Sequence, residues 1–169
     1  VSLLALSLVV SPSFAAEKFK DPDAKKDWYG AGWGYSPREG MDCDPGDFKD
    51  ALICTRSDGE DRKVGELTAK TVTYRFFEKR MYRVELTFDK DPVIAELGSI
   101  LRLVYGPGEW NAAEIAESWE GDSVRISFGR NLRAPGGFLV YEYKPLLVDV
   151  QAGEKSGGGM RLVEIIKSI

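Results

Sequence analysis

Two short segments alternate apolar and polar positions with a period of two. In TVTYRFF, Val72, Tyr74 and Phe76 interleave with Thr71, Thr73 and Arg75; in MYRVELTF, Tyr82, Val84, Leu86 and Phe88 interleave with Arg83, Glu85 and Thr87. Such alternation gives a strand one buried and one wet face. Separated by EKR, the two segments predict a β-hairpin. If both apolar sets face one side, paired residue numbers must sum to an even number, which gives an odd loop, Glu78-Lys79-Arg80. The period then changes. In DPVIAELGSILRLVYGPG, Ile94, Leu97, Leu101 and Val104 form a helical stripe, with Asp91 as cap, Pro92 in the first turn and Gly106-Pro107 as the stop. Gly98 inside that stripe costs about 1 kcal/mol against Ala unless a sheet passes close by. Three more strands follow, over 113–119, 123–129 and 138–144, joined by turns at Glu120-Gly121-Asp122 and Ala134-Pro135-Gly136-Gly137. The order ββαβββ predicts an α+β fold, an antiparallel sheet packed by one main helix, over residues 28–150.

The flanks read differently. Residues 1–15, VSLLALSLVVSPSFA, carry no charge and are apolar from Leu3 to Val10 except at Ser7. That run is shorter than the roughly 20 residues a membrane span needs. With Ser13 and Ala15 at its end, it predicts a secretory signal peptide cut before Ala16. No later apolar stretch is long enough to hold the mature chain in a membrane. Residues 16–27 read as a charged, solvated N-terminal arm. Residues 151–169 read as a flexible tether, through AGEKSGGG, followed by a short amphipathic tail. In that tail Leu162, Ile165, Ile166 and Ile169 share one helical face. It is expected to dock on this domain or on a partner, because ten residues are marginal as a free helix.

Composition narrows the chemistry. Lys and Arg total 23 against 27 Asp and Glu, a net charge of −4, which argues against a nucleic-acid partner. There is no histidine, which removes every Ser-His or Cys-His mechanism and every histidine metal site. The two cysteines, Cys43 and Cys54, fit neither a CxxC redox motif nor a zinc spacing. Export to an oxidising compartment favours a structural disulfide between them, worth about 3 kcal/mol; two separately buried thiols are the alternative.

Few motifs suggest a site. GAGWG, with Gly30, Gly32 and Gly34, lacks the strand and helix flanks of a phosphate loop. Asp42, Asp44, Asp47 and Asp50 miss the calcium frame, because Gly46 and Ile53 stand where ligands belong. No GxSxG or SxxK occurs, and no cofactor or metal is expected. Glu109, Glu114, Glu117 and Glu120, near Trp110 and Trp119, are candidates for a carboxylate pair of the glycosidase kind, or for a charged edge strand. Arg75, Arg83, Glu85 and Arg125 decorate wet strand faces, where cross-strand charge pairing and ligand binding are both open. Trp28 and Trp33 are candidates for stacking on a ligand or for core packing.

Gly65, Tyr74, Phe76, Tyr82, Val84 and Phe88 in the hairpin, Tyr105-Gly106 at the helix end, Trp119 and Gly121, and Tyr141, Tyr143, Pro145 and Leu146 form a recurring pattern. Together with Trp28-Tyr29-Gly30-Ala31-Gly32-Trp33-Gly34, it resembles a group of small exported bacterial proteins of unknown function. The resemblance spans 28–147 and implies a fold and a periplasmic or secreted location; its motifs are packing motifs and imply no catalytic residue. The leading functional expectation is a non-enzymatic binding or accessory module of the bacterial cell envelope, with an envelope protein as a candidate partner. Its candidate surface is Trp28, Trp33, Arg75, Arg83 and Arg125. The alternative is a carboxylate-dependent hydrolase using the 109–120 segment.

Overall fold

In the computed structural model, which describes residues 19–112 and 115–157, the two alternating segments pair as the central hairpin of the sheet. A 3-10 turn at Pro22–Ala24 leads to a two-stranded ribbon, β1 (Asp27–Trp28) and β2 (Ala31–Gly32). Strands β3 (Met41–Pro45) and β4 (Ala51–Arg56) come next. A second ribbon, β5 (Lys63–Val64) and β6 (Leu67–Thr68), precedes β7 (Thr71–Phe77) and β8 (Arg80–Phe88). After helix α1 (Asp91–Tyr105) come β9 (Glu109–Asn111), β10 (Ala116–Glu120), β11 (Val124–Arg130) and β12 (Gly137–Tyr143). Helix α2 (Lys144–Gly157) closes the described chain. The main sheet has eight strands in the order β3-β4-β7-β8-β12-β11-β10-β9, and all its pairings are antiparallel. The α+β class with an antiparallel sheet holds.

The described chain does not follow the expected ββαβββ order around one main helix. The polar 36–66 segment supplies β3 and β4, and α2 is a second helix. Residues 151–157, expected as tether, are helical. Pro145 fits the first turn of this helix because a first-turn residue has no intrahelical N–H to lose. Leu146 and Val150 then lie one turn apart against Phe77 and Tyr82. Gly153 brings α2 close: a Cβ there would lie 2.8 Å from the Phe77 ring. Residues 1–15, expected as a signal peptide, and Leu162, Ile165, Ile166 and Ile169 of the tail lie outside the described residues.

The hairpin solves its parity by a bulge. Only Glu78 and Lys79 form the loop, both with positive φ, as in a tight two-residue hairpin turn. Phe77 pairs with Arg80 and Phe76 with Met81, but Arg75 pairs with Arg83, so Tyr82 is the extra residue. Even-sum pairing holds in the body of the hairpin, from Thr71–Thr87 to Arg75–Arg83. The bulge also separates two apolar clusters. Phe76 and Met81 join the main core, with Tyr74, Val84, Leu86, Ile126, Leu139 and Tyr141, under Ile94, Leu97 and Leu101 of α1. Phe77 and Tyr82 turn to the other face, under α2. Gly98 meets its exception, since a Cβ there would sit 2.9 Å from the Phe128 ring. Asp91 is the first residue of α1 rather than its cap, and its carboxylate accepts the Gly136 N–H at 2.8 Å.

The charged arm is tied down along residues 19–27. Lys20 N–H donates to the Val104 carbonyl at the end of α1. The Asp23 carboxylate accepts the N–H groups of Asp122 (2.7 Å), Ser123 (2.9 Å) and Val124 (2.7 Å), clamping the β10–β11 turn. Burial pushes the Asp23 carboxyl up, but the hydrogen bonds from Ser123, Val124 and Asp122 outweigh it and hold the group below the ordinary aspartate value. A depressed carboxyl adds stability that is complete above its unfolded pKa and is lost as pH falls through the folded value. Asp23→Ala is therefore expected to cost about 2 kcal/mol at neutral pH and less in acid. Urea midpoints of the two proteins at about pH 6 and about pH 3 check this; an equal difference at both would show that the charge of Asp23 contributes nothing.

No helix among the described residues is long and apolar enough to cross a membrane.

Candidate functional site

Consecutive strand residues point to opposite sides, so the face away from α1 carries Arg75 on β7, Arg83 and Glu85 on β8, Glu142 on β12 and Arg125 on β11. These form a ladder of alternating charge. Asp47 pairs with Arg75 at 3.3 Å and Arg75 with Glu85 at 3.8 Å. Glu85 pairs with Arg83 at 3.2 Å, and Arg83 with Glu142 at 3.3 Å. Glu142 approaches Arg125 at 3.8 Å, Arg125 pairs with Glu120, and Glu120 with Lys144 at 3.2 Å. The cross-strand pairing expected of these residues is what they do. Each partly exposed link contributes only about 0–1 kcal/mol.

The ladder has one unfavourable point. Arg75 and Arg83 stand directly opposite each other, beside the bulge, a placement that like charges normally avoid. Both bury an Nε–H without an acceptor among the described residues. Helix α2 covers this end of the face. Between helix and strands is a cleft of about 290 Å³ lined by Arg75, Tyr82, Arg83, Glu142, Gln151 and Glu154. The Tyr82 ring lies in the small cluster with Phe77 and Val150. Burial raises its hydroxyl pKa, while Arg75 and Arg83 pull it down and Glu154 and Glu142 push it up, so the phenol sits among all four charges.

The other candidates go elsewhere. Trp28 is 3% exposed and donates Nε1–H to the Asp61 carbonyl at 3.0 Å, so it is core and not binding surface. Trp33 is half-buried, stacks on Tyr143 with centroids 6.2 Å apart, and bonds the Lys25 carbonyl. Neither tryptophan lines the arginine cleft. Cys43 and Cys54 form a disulfide across the β3–β4 pair.

The carboxylates of 109–120 do not converge. Glu117 is 8% exposed and faces α1, where Arg102 grips both of its oxygens and Gly108 N–H donates at 3.0 Å. Glu120 is on the opposite face, held by Arg125 and Lys144. Glu109 is exposed on β9, and Glu114 lies outside the described residues. An acid pair must flank one bond from the same cavity, and the sheet separates Glu117 from Glu120. The Glu117 clamp instead joins the end of α1 to β10. Glu117→Ala is expected to cost about 2 kcal/mol, because the Gly108 N–H loses its acceptor and the exposed Arg102 turns to solvent. Thermal unfolding measures it; an unchanged midpoint would mean the clamp carries no load.

Sequence reasoning missed the buried Asp61, 2% exposed, whose Oδ2 accepts the Tyr74 hydroxyl at 2.8 Å. It lies in the polar run SDGEDR, and nothing in its spacing marks it. Among the described residues no group of His, Cys, Asp and Glu is placed to hold a metal ion.

Compared with protein-family models, curated proteins and solved structures, the chain matches none.

Proposed function

We propose that this protein is a non-enzymatic binding or accessory module of the bacterial cell envelope, and that it binds through the charged face of the sheet beside α2. The observation that carries the reading is the opposed pair Arg75–Arg83 at the bulge. A sheet built only for stability would place opposite charges directly across the strands; two directly paired cations, bridged by Glu85 and each with a buried Nε–H that lacks a hydrogen-bond acceptor among the described residues, mark a place where local packing yields to recognition. The separation of Glu117 from Glu120 weighs against the hydrolase reading. The uncharged apolar segment 1–15, the disulfide, and the resemblance to exported proteins support the envelope location.

The test uses the protein beginning at Ala16, immobilised and exposed to an envelope extract of the source organism, beside a variant carrying Arg75→Gln, Arg83→Gln and Arg125→Gln. The expected result is a component retained by the parent and lost from the triple variant, with no turnover of chromogenic glycosides or esters by either. Turnover by the parent that Glu117→Gln or Glu120→Gln abolishes would overturn the reading, as would retention that ignores the arginines. The location is tested separately by intact mass of the native protein. A mature N-terminus at Ala16 in the periplasmic fraction is expected, and retention in the cytoplasm contradicts it.

A further inference from the structure

The cleft between α2 and the arginine pair has a specific chemistry. Arg75 is held loosely: its ion-pair partners are Asp47 at 3.3 Å, itself 73% exposed, and Glu85 at 3.8 Å. A contact with so exposed an aspartate is one that another carboxylate replaces. Across the cleft, Glu154 on α2 makes no ion pair with the described residues, although it lies near enough to the Tyr82 hydroxyl to raise its pKa. The strand side of the cleft therefore offers Arg75 and Arg83, with Glu142 ion-paired to Arg83 and Arg125; the helix side offers the Glu154 carboxylate, and the Tyr82 phenol and Gln151 amide lie with them. Leu147 and the buried Val150 add apolar wall. The volume, about 290 Å³, is at the small end of ligand pockets.

Resting on the binding function proposed above, we infer that this cleft takes a small zwitterion, a neutral α-amino acid. Its carboxylate lies on Arg75 and Arg83, its ammonium against Glu154, and its short apolar side chain along Leu147 and Val150. Charge selects this class. An anion without an amine leaves Glu154 facing the ligand uncompensated, and a cation without a carboxylate meets Arg75 and Arg83.

The test is titration of the protein beginning at Ala16 with valine, isovalerate, isobutylamine and inorganic phosphate, followed by amide NMR. Valine is expected to saturate with a dissociation constant of roughly 1 mM and to shift amides of β7, β8 and α2 around the cleft. Isovalerate and isobutylamine are expected to bind at least about tenfold more weakly, a single lost charge contact. Arg75→Gln is expected to remove valine binding. Glu154→Gln, at an exposed helix position, is expected to weaken valine about tenfold and to tighten isovalerate, which no longer faces the carboxylate. Valine and isovalerate binding alike, or phosphate displacing both, would overturn the zwitterion assignment, as would no saturable shift. If valine fails while an envelope component is still retained through the arginines, this inference falls and the binding function stands. If both fail, both fall.

Discussion

Tyr74→Phe is expected to destabilise the protein by about 3 kcal/mol, although it deletes one oxygen and leaves the ring in place. Tyr74 is fully buried, and its hydroxyl is the side-chain hydrogen bond that reaches the Asp61 carboxylate, itself 2% exposed. Burial, with Asp61 beside it, drives the Tyr74 hydroxyl far above the ordinary tyrosine value, so it remains a donor at every working pH. Without that donor a carboxylate stays inside the core with its main partner gone, which costs far more than the net value of a hydrogen bond. Asp61→Asn keeps an acceptor and removes the charge, and is expected to cost less than Tyr74→Phe. Urea denaturation of both variants decides it. A Tyr74→Phe loss below about 0.5 kcal/mol would show that the Asp61 carboxylate is not isolated from solvent.

Reduction of the disulfide is expected to have the second large effect. Cys43 and Cys54 are direct cross-strand partners, and the bridge fastens the edge strand β3 to β4. All of β3 after Met41 is exposed, so strand pairing and the bridge hold it more than burial does. Releasing a loop of this length frees the unfolded chain by about 3 kcal/mol. For a domain of this size that is a fall of roughly 6–12 °C in Tm. Thermal scans with and without reductant, with hydrogen exchange on β3, measure it. An unchanged Tm, or β3 amides equally protected after reduction, would contradict this account of the edge.

The alternation that is strong in the sequence corresponds to strands in the structure because it reflects one dry face under α1. Val72, Tyr74, Val84, Leu86, Leu139, Tyr141 and Ile126 are all in that core. Strand β3 had no such signal. It lies at the sheet edge with nothing buried, and MDCDP reads as a turn. Helix α2 was hidden by two residues with two readings. Pro145 reads as the end of a strand and also fits the first turn of a helix, and Gly153 reads as tether where it allows close packing on Phe77. The hairpin parity was legible but not its solution, because an odd residue fits equally in a loop or in a bulge. The bulge at Tyr82 turns that ring away from the core expected of it and toward α2. At the candidate site, period-two spacing placed Arg75, Arg83 and Arg125 on one wet face. Trp28 and Trp33 were joined to that surface by their aromatic character alone, since an aromatic residue in a glycine-rich loop reads the same whether it plugs a core or meets a ligand.

On the binding function proposed above, recognition is expected on the charged face at the Arg75–Arg83 pair and not at the carboxylates of 109–120. Amide shift mapping of the protein beginning at Ala16, against a small-molecule fraction of the envelope, tests it most directly. The expected perturbations cluster on β7, β8, the end of β12 and α2, and disappear in the triple arginine variant. Perturbations centred on Trp110, Glu117 and Trp119, unaffected by that variant, would contradict the account.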